Sequence, residues 1–157
     1  MNIHLIRHAK SNHLSDSGVD FDRALSNKGI HQCQLLKNYL SQYPEILKNI
    51  YCSSSNRTKS TLNLLFNDKQ FEKLIYSDEL YLATAEFLFE FIISLNSIED
   101  ITIIGHNEGL SYLATYLTGQ TMLLQTSSLV SIVFDIPNSS WISKETGVIM
   151  NQYSPQI

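Results

Sequence analysis

Residues 3–11, Ile3 to Ser11, read IHLIRHAKS. Ile3, Leu5 and Ile6 make an apolar run of the kind that forms a buried strand, and the run ends in an arginine beside a histidine. Arg7 carries a permanent charge and His8 titrates near neutrality, so neither enters a core without a partner. Fold and site both follow from what the rest of the chain brings to these two side chains.

Similar runs recur at 48–52 (KNIYC), 72–77 (EKLIYS), 100–105 (DITIIG) and 129–136 (LVSIVFDI). Between them the apolar residues take helical spacing. Ile30, Cys33, Leu36 and Leu40 predict a helix that Ser26 caps and Pro44 stops. A Ser-rich turn then leads into a helix from about Arg57, carrying Leu62 and Leu65. Residues 84–96, with Leu88, Phe91 and Ile92, predict a third helix. Leu110, Leu113, Ala114 and Leu117 predict a fourth, starting at about Asn107. Residues 9–25 are polar and read as a loop, and GVIMNQY near the end reads as an edge strand. Strands alternating with helices predict an α/β fold, a three-layer sandwich whose mostly parallel central sheet is flanked by helices. No linker or repeat interrupts the pattern, so residues 1–157 are expected to form a single domain.

The 157 residues are 43% hydrophobic and 17% charged, enough apolar material for a sizeable core. A net charge of -4 without a Lys/Arg cluster argues against a nucleic-acid partner. Cys33 and Cys52 sit in apolar runs and read as reduced core thiols. Neither a signal peptide nor a run of about 20 apolar residues is visible, so no membrane partner and a cytoplasmic location are expected.

In sheets of parallel strands, ligands bind outside the carboxyl ends. Arg7 and His8 lie at that end of the first strand, Arg57 in the first turn after the second, and His106 at the end of the fourth. Parallel strands carry all four to one edge, beside helix N-termini that favour an anion. Two guanidiniums and two imidazoles there describe a site for a dianionic oxyanion, and phosphate matches the fork geometry of arginine. Singly, each residue has a blander reading. An arginine after a strand is commonly a surface ion pair, and Arg57 alone reads as a surface residue at a helix start. His4 and His31 read as structural and His13 as solvated. A metal hydrolase built on His8, His106 and carboxylates is another chemistry open to the chain, though no His-x-x-x-His spacing supports it.

At these positions the chain resembles the histidine phosphatase superfamily, the phosphoglycerate mutase-like fold. LIRHAKS (5–11) is similar to its Arg-His-Gly signature. SSSNRTKST (53–61) is similar to its Ser-Pro-x-x-Arg-Ala-x-x-Thr segment, matching at Ser53, Arg57 and Thr61. IIGHNEGLSYLATYL (103–117) resembles the second-histidine motif. DFDRALSNKG (20–29) resembles the Asp-Phe-Asp-Arg-Pro-Leu-x-x-x-Gly stretch of the short, SixA-like phosphohistidine phosphatases. The similarity runs over residues 1 to 120 with the motifs in the family's order. Ala9 replaces the usual glycine, and Ser54 and Glu108 stand where proline is common. None of these changes removes a reacting group.

The resemblance implies a phosphatase acting through a phosphohistidine intermediate on His8, with no metal and no cofactor. Neutral His8 presents one ring nitrogen to phosphorus while the other donates to a fixed acceptor such as a backbone carbonyl. Arg7, Arg57 and a protonated His106 meet the phosphoryl oxygens. Ser11 and the Asn107 backbone N–H are further phosphate contacts, and Lys10 and Lys28 give a positive rim. Larger relatives place a proton donor near the third strand, where Glu79 is the candidate; a solvated carboxylate at a helix start is its equal alternative. The short stretch between Arg57 and His106 leaves little material for a lid insertion. An open site suits phosphohistidine in a phosphorylated protein, such as a histidine-phosphotransfer domain. A small phosphomonoester is the alternative substrate, with a mutase third, and a non-catalytic phosphate-binding module is the alternative function.

Overall fold

The computed structural model describes residues 1–43, 49–66 and 71–156. Its elements, in chain order, are β1 (Asn2–Arg7), α1 (Asn27–Leu40), β2 (Asn49–Ser53), α2 (Asn56–Leu65) and β3 (Lys73–Ser77). There follow α3 (Ala85–Ser94), β4 (Ile101–Gly105), α4 (Gly109–Thr118), β5 (Leu129–Val133) and β6 (Val148–Tyr153). Single 3-10 turns lie at Asp20–Asp22, Asp78–Leu80 and Ser139–Trp141.

The strands form one sheet in the order β3-β2-β4-β1-β5-β6. Strands β1 to β4 are mutually parallel. β1, β2 and β4 are buried almost throughout, as central strands covered on both faces must be. Successive side chains then serve opposite faces. Ile3, Leu5, Ile101 and Ile103 pack with Leu88, Ile92, Leu110, Leu113 and Leu117 of α3 and α4. Ile6, Ile50, Cys52 and Ile104 pack with Cys33, Leu36, Leu40, Leu62 and Leu65 of α1 and α2. Each fully buried Leu or Ile stabilises the fold by about 1.5–3 kcal/mol, so these two layers hold the sheet between them. The result is the three-layer α/β sandwich expected from the sequence, without a large lid insertion.

α1 begins where its sequence signal lies. Ser26 is extended and its side chain accepts from the Gly29 N–H. Gly29 is required there, because a Cβ would stand 2.0 Å from the Lys10 carbonyl oxygen. The helix ends at Leu40; Pro44, read as its stop, and Lys48 lie outside the described residues. α4 starts at Gly109 rather than at Asn107. Its first turn presses on the chain before α3, and a Cβ on Gly109 would stand 2.0 Å from the Ala83 carbonyl oxygen.

β5 runs antiparallel to β1, and β6 antiparallel to β5. The cause is the stretch between α4 and β5. It returns to the carboxyl edge of β1, where the Ser127 N–H bonds the carbonyls of both Arg7 and His8 at 3.1 Å. β5 therefore starts at the edge where β1 ends. β6 closes the sheet with alternating burial, the pattern of an edge strand.

Candidate active site

Register decides what meets at the carboxyl edge. Arg7 pairs with Gly105 across β1 and β4, and Cys52 pairs with Ile104 across β2 and β4. The residues that follow on β1 and β4, His8 and His106, therefore stand level with one another, and Ser53 lies one residue short of them on β2. Arg57 enters from the first turn of α2 and is 1% exposed. These side chains, apart from Ser53, line a cleft of about 190 Å³ with Lys10, Ser11, Arg23, Leu82, Asn107 and Thr126.

His8 is 8% exposed, and its Nδ1 lies 2.7 Å from the Ala9 carbonyl oxygen. That acceptor assigns the proton to Nδ1 and leaves Nε2 unprotonated. The Arg57 Nε–H donates toward the same Nε2 at 3.3 Å, which requires Nε2 to be unprotonated. Burial, with the charges of Arg57 and Arg7 behind it, lowers the His8 pKa to about 4. The imidazole is neutral at physiological pH, as a nucleophile must be.

The His106 ring lies 5.1 Å from the His8 ring, centroid to centroid. Its Nε2 is 2.9 Å from the Ser53 hydroxyl. With that hydroxyl donating, Nδ1 carries the proton, and it is buried with no partner among the described residues. Burial first, then His8 and Arg57, lower the His106 pKa to about 3. Loss of water and the surrounding cations thus favour the neutral ring, where protonation was expected against a phosphoryl group. An anion placed between these groups would push it back up.

Arg7 Nη1 donates to the Leu124 carbonyl at 2.8 Å, while its Nε is buried and without a partner among the described residues. Among the described residues that line the cleft, the buried N–H groups Arg7 Nε, Arg23 Nε and His106 Nδ1 lack a hydrogen-bond acceptor, Arg23 Nε being ion-paired with Asp20 Oδ1. An oxyanion supplies several.

Thr61 braces this arrangement. Its hydroxyl oxygen accepts from the Ala9 N–H at 3.0 Å and donates to the Arg57 carbonyl at 2.7 Å. Ala9 is fully buried, its methyl packs into the core under α1 and α2, and it is not among the described residues with positive φ. That is why alanine serves where relatives have glycine.

The other expected residues divide. Ser11 is buried and lines the cleft, and so does the exposed Lys10; the exposed Lys28 does not. Asn107 lines the cleft, but its side chain is engaged by the Leu124 carbonyl at 2.9 Å and by the Ser111 hydroxyl at 3.0 Å. Glu79 is exposed on the turn after β3 and does not line the cleft. β3 is the edge strand, separated from β1 by β2 and β4. His4 is buried against the Ser131 hydroxyl at 2.8 Å, and His13 is exposed. His31, read as structural, is also exposed, on the outer face of α1. Cys33 and Cys52 are free and buried, and burial raises their pKa values to about 11 and about 12.

Sequence reasoning did not single out Asp20, Arg23 or Tyr81. Arg23 lines the cleft. Asp20 accepts from Arg57 Nη2 at 2.9 Å and from the Tyr81 hydroxyl. The available signal was the opposite-charge pair Asp20 and Arg23, three residues apart within the DFDR stretch. Among the described residues no Asp or Glu lines the cleft, and no group of three or more His, Cys, Asp or Glu side chains is placed to hold a metal. Likewise no described helix is long and apolar enough to cross a membrane.

Solved structures share this architecture. The protein histidine phosphatase SixA complexed with tungstate is 20% identical and superposes with a TM-score of 0.78, over 98% of this chain and 97% of that one. A protein described as phosphohistidine phosphatase SixA from Agrobacterium tumefaciens is 20% identical with a TM-score of 0.81, over 98% of both chains. Phosphoserine phosphatase from Entamoeba histolytica, in complex with 3-phosphoglyceric acid, is 14% identical with a TM-score of 0.63, over 99% of this chain and 98% of that one. No curated protein matches by sequence. The family model of the histidine phosphatase superfamily (branch 1) matches residues 3–81, about half of the chain. The chain belongs to the histidine phosphatase superfamily.

Proposed function

We propose that the chain, acting as one domain, is a phosphatase that removes a phosphoryl group through a phosphohistidine intermediate on His8. Its preferred substrate in this reading is phosphohistidine in a protein, such as a histidine-phosphotransfer domain. The observation that carries the reading is a neutral imidazole, fixed through Nδ1, inside a cleft walled by Arg7, Arg23, Arg57 and His106. His8 Nε2 attacks phosphorus and the leaving group departs on the far side. Arg7, Arg57 and His106 take up the equatorial oxygens, with Ser11 and the Asn107 backbone N–H as outer contacts. Water then hydrolyses the phosphoimidazole. Positioning and preorganised charge supply the rate, and the proposal involves neither metal nor cofactor.

Two features favour phosphohistidine over a phosphomonoester. First, among the described residues no carboxyl group lines the cleft to protonate a departing alkoxide, and Glu79 stands outside it. An imidazole that leaves already protonated needs no such acid. Second, about 190 Å³ is small beside the roughly 300–1,000 Å³ of sites that enclose whole small molecules. It accommodates a phosphoryl group whose carrier stays outside. The likeness to structures named SixA supports the same substrate. The likeness to phosphoserine phosphatase keeps a small phosphomonoester as the second reading.

A turnover panel tests the choice: a phosphohistidine protein against sugar phosphates, phosphoserine and para-nitrophenyl phosphate. The phosphoprotein should give the highest kcat/KM, with His8→Ala inactive on every substrate. A sugar phosphate or phosphoserine turned over faster than the phosphoprotein would replace the proposed substrate class.

A further inference from the structure

The chemistry proposed above leaves one cluster unused. Asp20 opens the 3-10 turn Asp20–Asp22 with its side chain half exposed. Its Oδ2 accepts from Arg57 Nη2 at 2.9 Å and from the Tyr81 hydroxyl. Its Oδ1 pairs with Arg23 Nε at 2.8 Å, and its backbone carbonyl accepts from Arg57 Nη1 at 2.7 Å. The Arg57 guanidinium also lies 5.5 Å from the centre of the Tyr81 ring.

A guanidinium is a rigid plane, so fixing two of its nitrogens fixes the third. Asp20 holds Nη1 and Nη2 of Arg57, and Nε is thereby aimed at His8 Nε2. Oδ1 of the same carboxylate ion-pairs with Arg23, whose side chain lines the cleft and whose Nη1 donates to the Asn12 carbonyl at 2.9 Å. The hydrogen bond from Tyr81, ahead of that from Arg57, keeps the Asp20 carboxyl below its ordinary pKa. Near neutral pH it is an acceptor, with no proton to give a leaving group.

Resting on the phosphoryl-transfer reading of His8, we propose that Asp20, braced by Tyr81, is a positioning residue that aims Arg57 and Arg23 into the cleft and so pre-forms the cradle for the transferring phosphoryl group. Asp20 acts through the arginines and touches no substrate. Its removal leaves both positive charges in place and takes away their direction. Preorganised donors count most where charge develops in the transition state. The loss therefore falls on kcat and on transition-state analogues more than on KM.

The test is a double-mutant cycle with para-nitrophenyl phosphate as substrate and orthovanadate as inhibitor. Removing a charge-assisted hydrogen bond typically costs about 10- to 100-fold, so Asp20→Asn should lower kcat by that factor and weaken vanadate in parallel. KM should stay within about threefold, as expected when an interaction is made chiefly in the transition state. Tyr81→Phe should show the same split to a smaller extent. In an Arg57→Met, Arg23→Met background, Asp20→Asn should change neither quantity by more than about twofold, because its targets are gone. An equal loss in both backgrounds would overturn the clamp, as would full kcat in Asp20→Asn. Should Asp20→Asn fail to fold, Tyr81→Phe decides through the same cycle. Wild-type protein that binds vanadate but turns over nothing defeats the phosphatase reading alone, and vanadate affinity then judges the clamp.

Discussion

Replacing Arg57 by methionine should separate the stability of the site from its chemistry. Arg57 is 1% exposed and its partner Asp20 is 50% exposed. Burying a guanidinium costs several kcal/mol, and a half-hydrated carboxylate returns only part of it. Methionine removes the buried charge and refills much of the volume. Asp20 is not orphaned, since it keeps Arg23, Tyr81 and water. Lost hydrogen bonds and relieved desolvation nearly offset, so stability should stay within about 1 kcal/mol of wild type. The transition state, by contrast, loses a preorganised donor worth about 3–4 kcal/mol, a fall of roughly 100- to 1000-fold in turnover. Arg57 also helps to lower the His8 pKa to about 4, so in the variant that value should rise. Urea unfolding, initial rates on para-nitrophenyl phosphate and an NMR titration of the His8 ring read the three quantities. A stability loss above about 3 kcal/mol together with preserved turnover would make Arg57 a structural residue and refute the reasoning.

Further perturbations reach other parts of the account. Ser53→Ala removes the partner 2.9 Å from His106 Nε2 and frees the ring to turn; turnover should drop about tenfold, with unchanged turnover showing that the contact positions nothing. Acid should destabilise the fold, because His8 takes its proton near pH 4 and His106 near pH 3 in the folded protein, against 6.5 when unfolded. Between pH 6.5 and about 3 the unfolded chain binds more protons at these two residues, so their contribution falls as the pH falls; His8 alone contributes on the order of 3 kcal/mol, lost by about pH 4. Urea unfolding at pH 7 and pH 4 measures this, and His8→Asn should lose less than wild type on the same step. Gly29→Ala sets a methyl against the Lys10 carbonyl and should destabilise by about 1–3 kcal/mol, read by urea unfolding; wild-type stability would mean that α1 moves away freely.

How much of this was legible in the sequence depended on range. Doubly buried strands are apolar without alternation, so β1, β2 and β4 stood out, and Ser26 announced α1 through its cap. The arginines and histidines at strand ends were legible because parallel strands carry their carboxyl ends to one edge. β5 was found, but not its direction, since an apolar pentapeptide reads the same either way. The direction comes from the return of residues 119–128 to the site, pinned by Ser127. His106 was given a proton to meet a phosphoryl oxygen, and a sequence does not show the lost water and packed cations that oppose it. Glu79 was sought near the third strand, yet β3 lies at the edge of the sheet, and it is Tyr81, two residues on, that reaches the site through Asp20. Asp20 looked like one more polar loop residue. Only a fold that brings α2 beneath that loop turns it into the partner of Arg57.

The central claim is that the His8 imidazole itself receives the phosphoryl group. Rapid quench into alkaline medium during turnover of a phosphohistidine protein, followed by peptide mass spectrometry, tests it directly. The expected result is a phosphoryl increment on the peptide containing His8, labile to acid and missing in His8→Ala. Turnover at the wild-type rate with no label on that peptide, or with label on another residue, would contradict it.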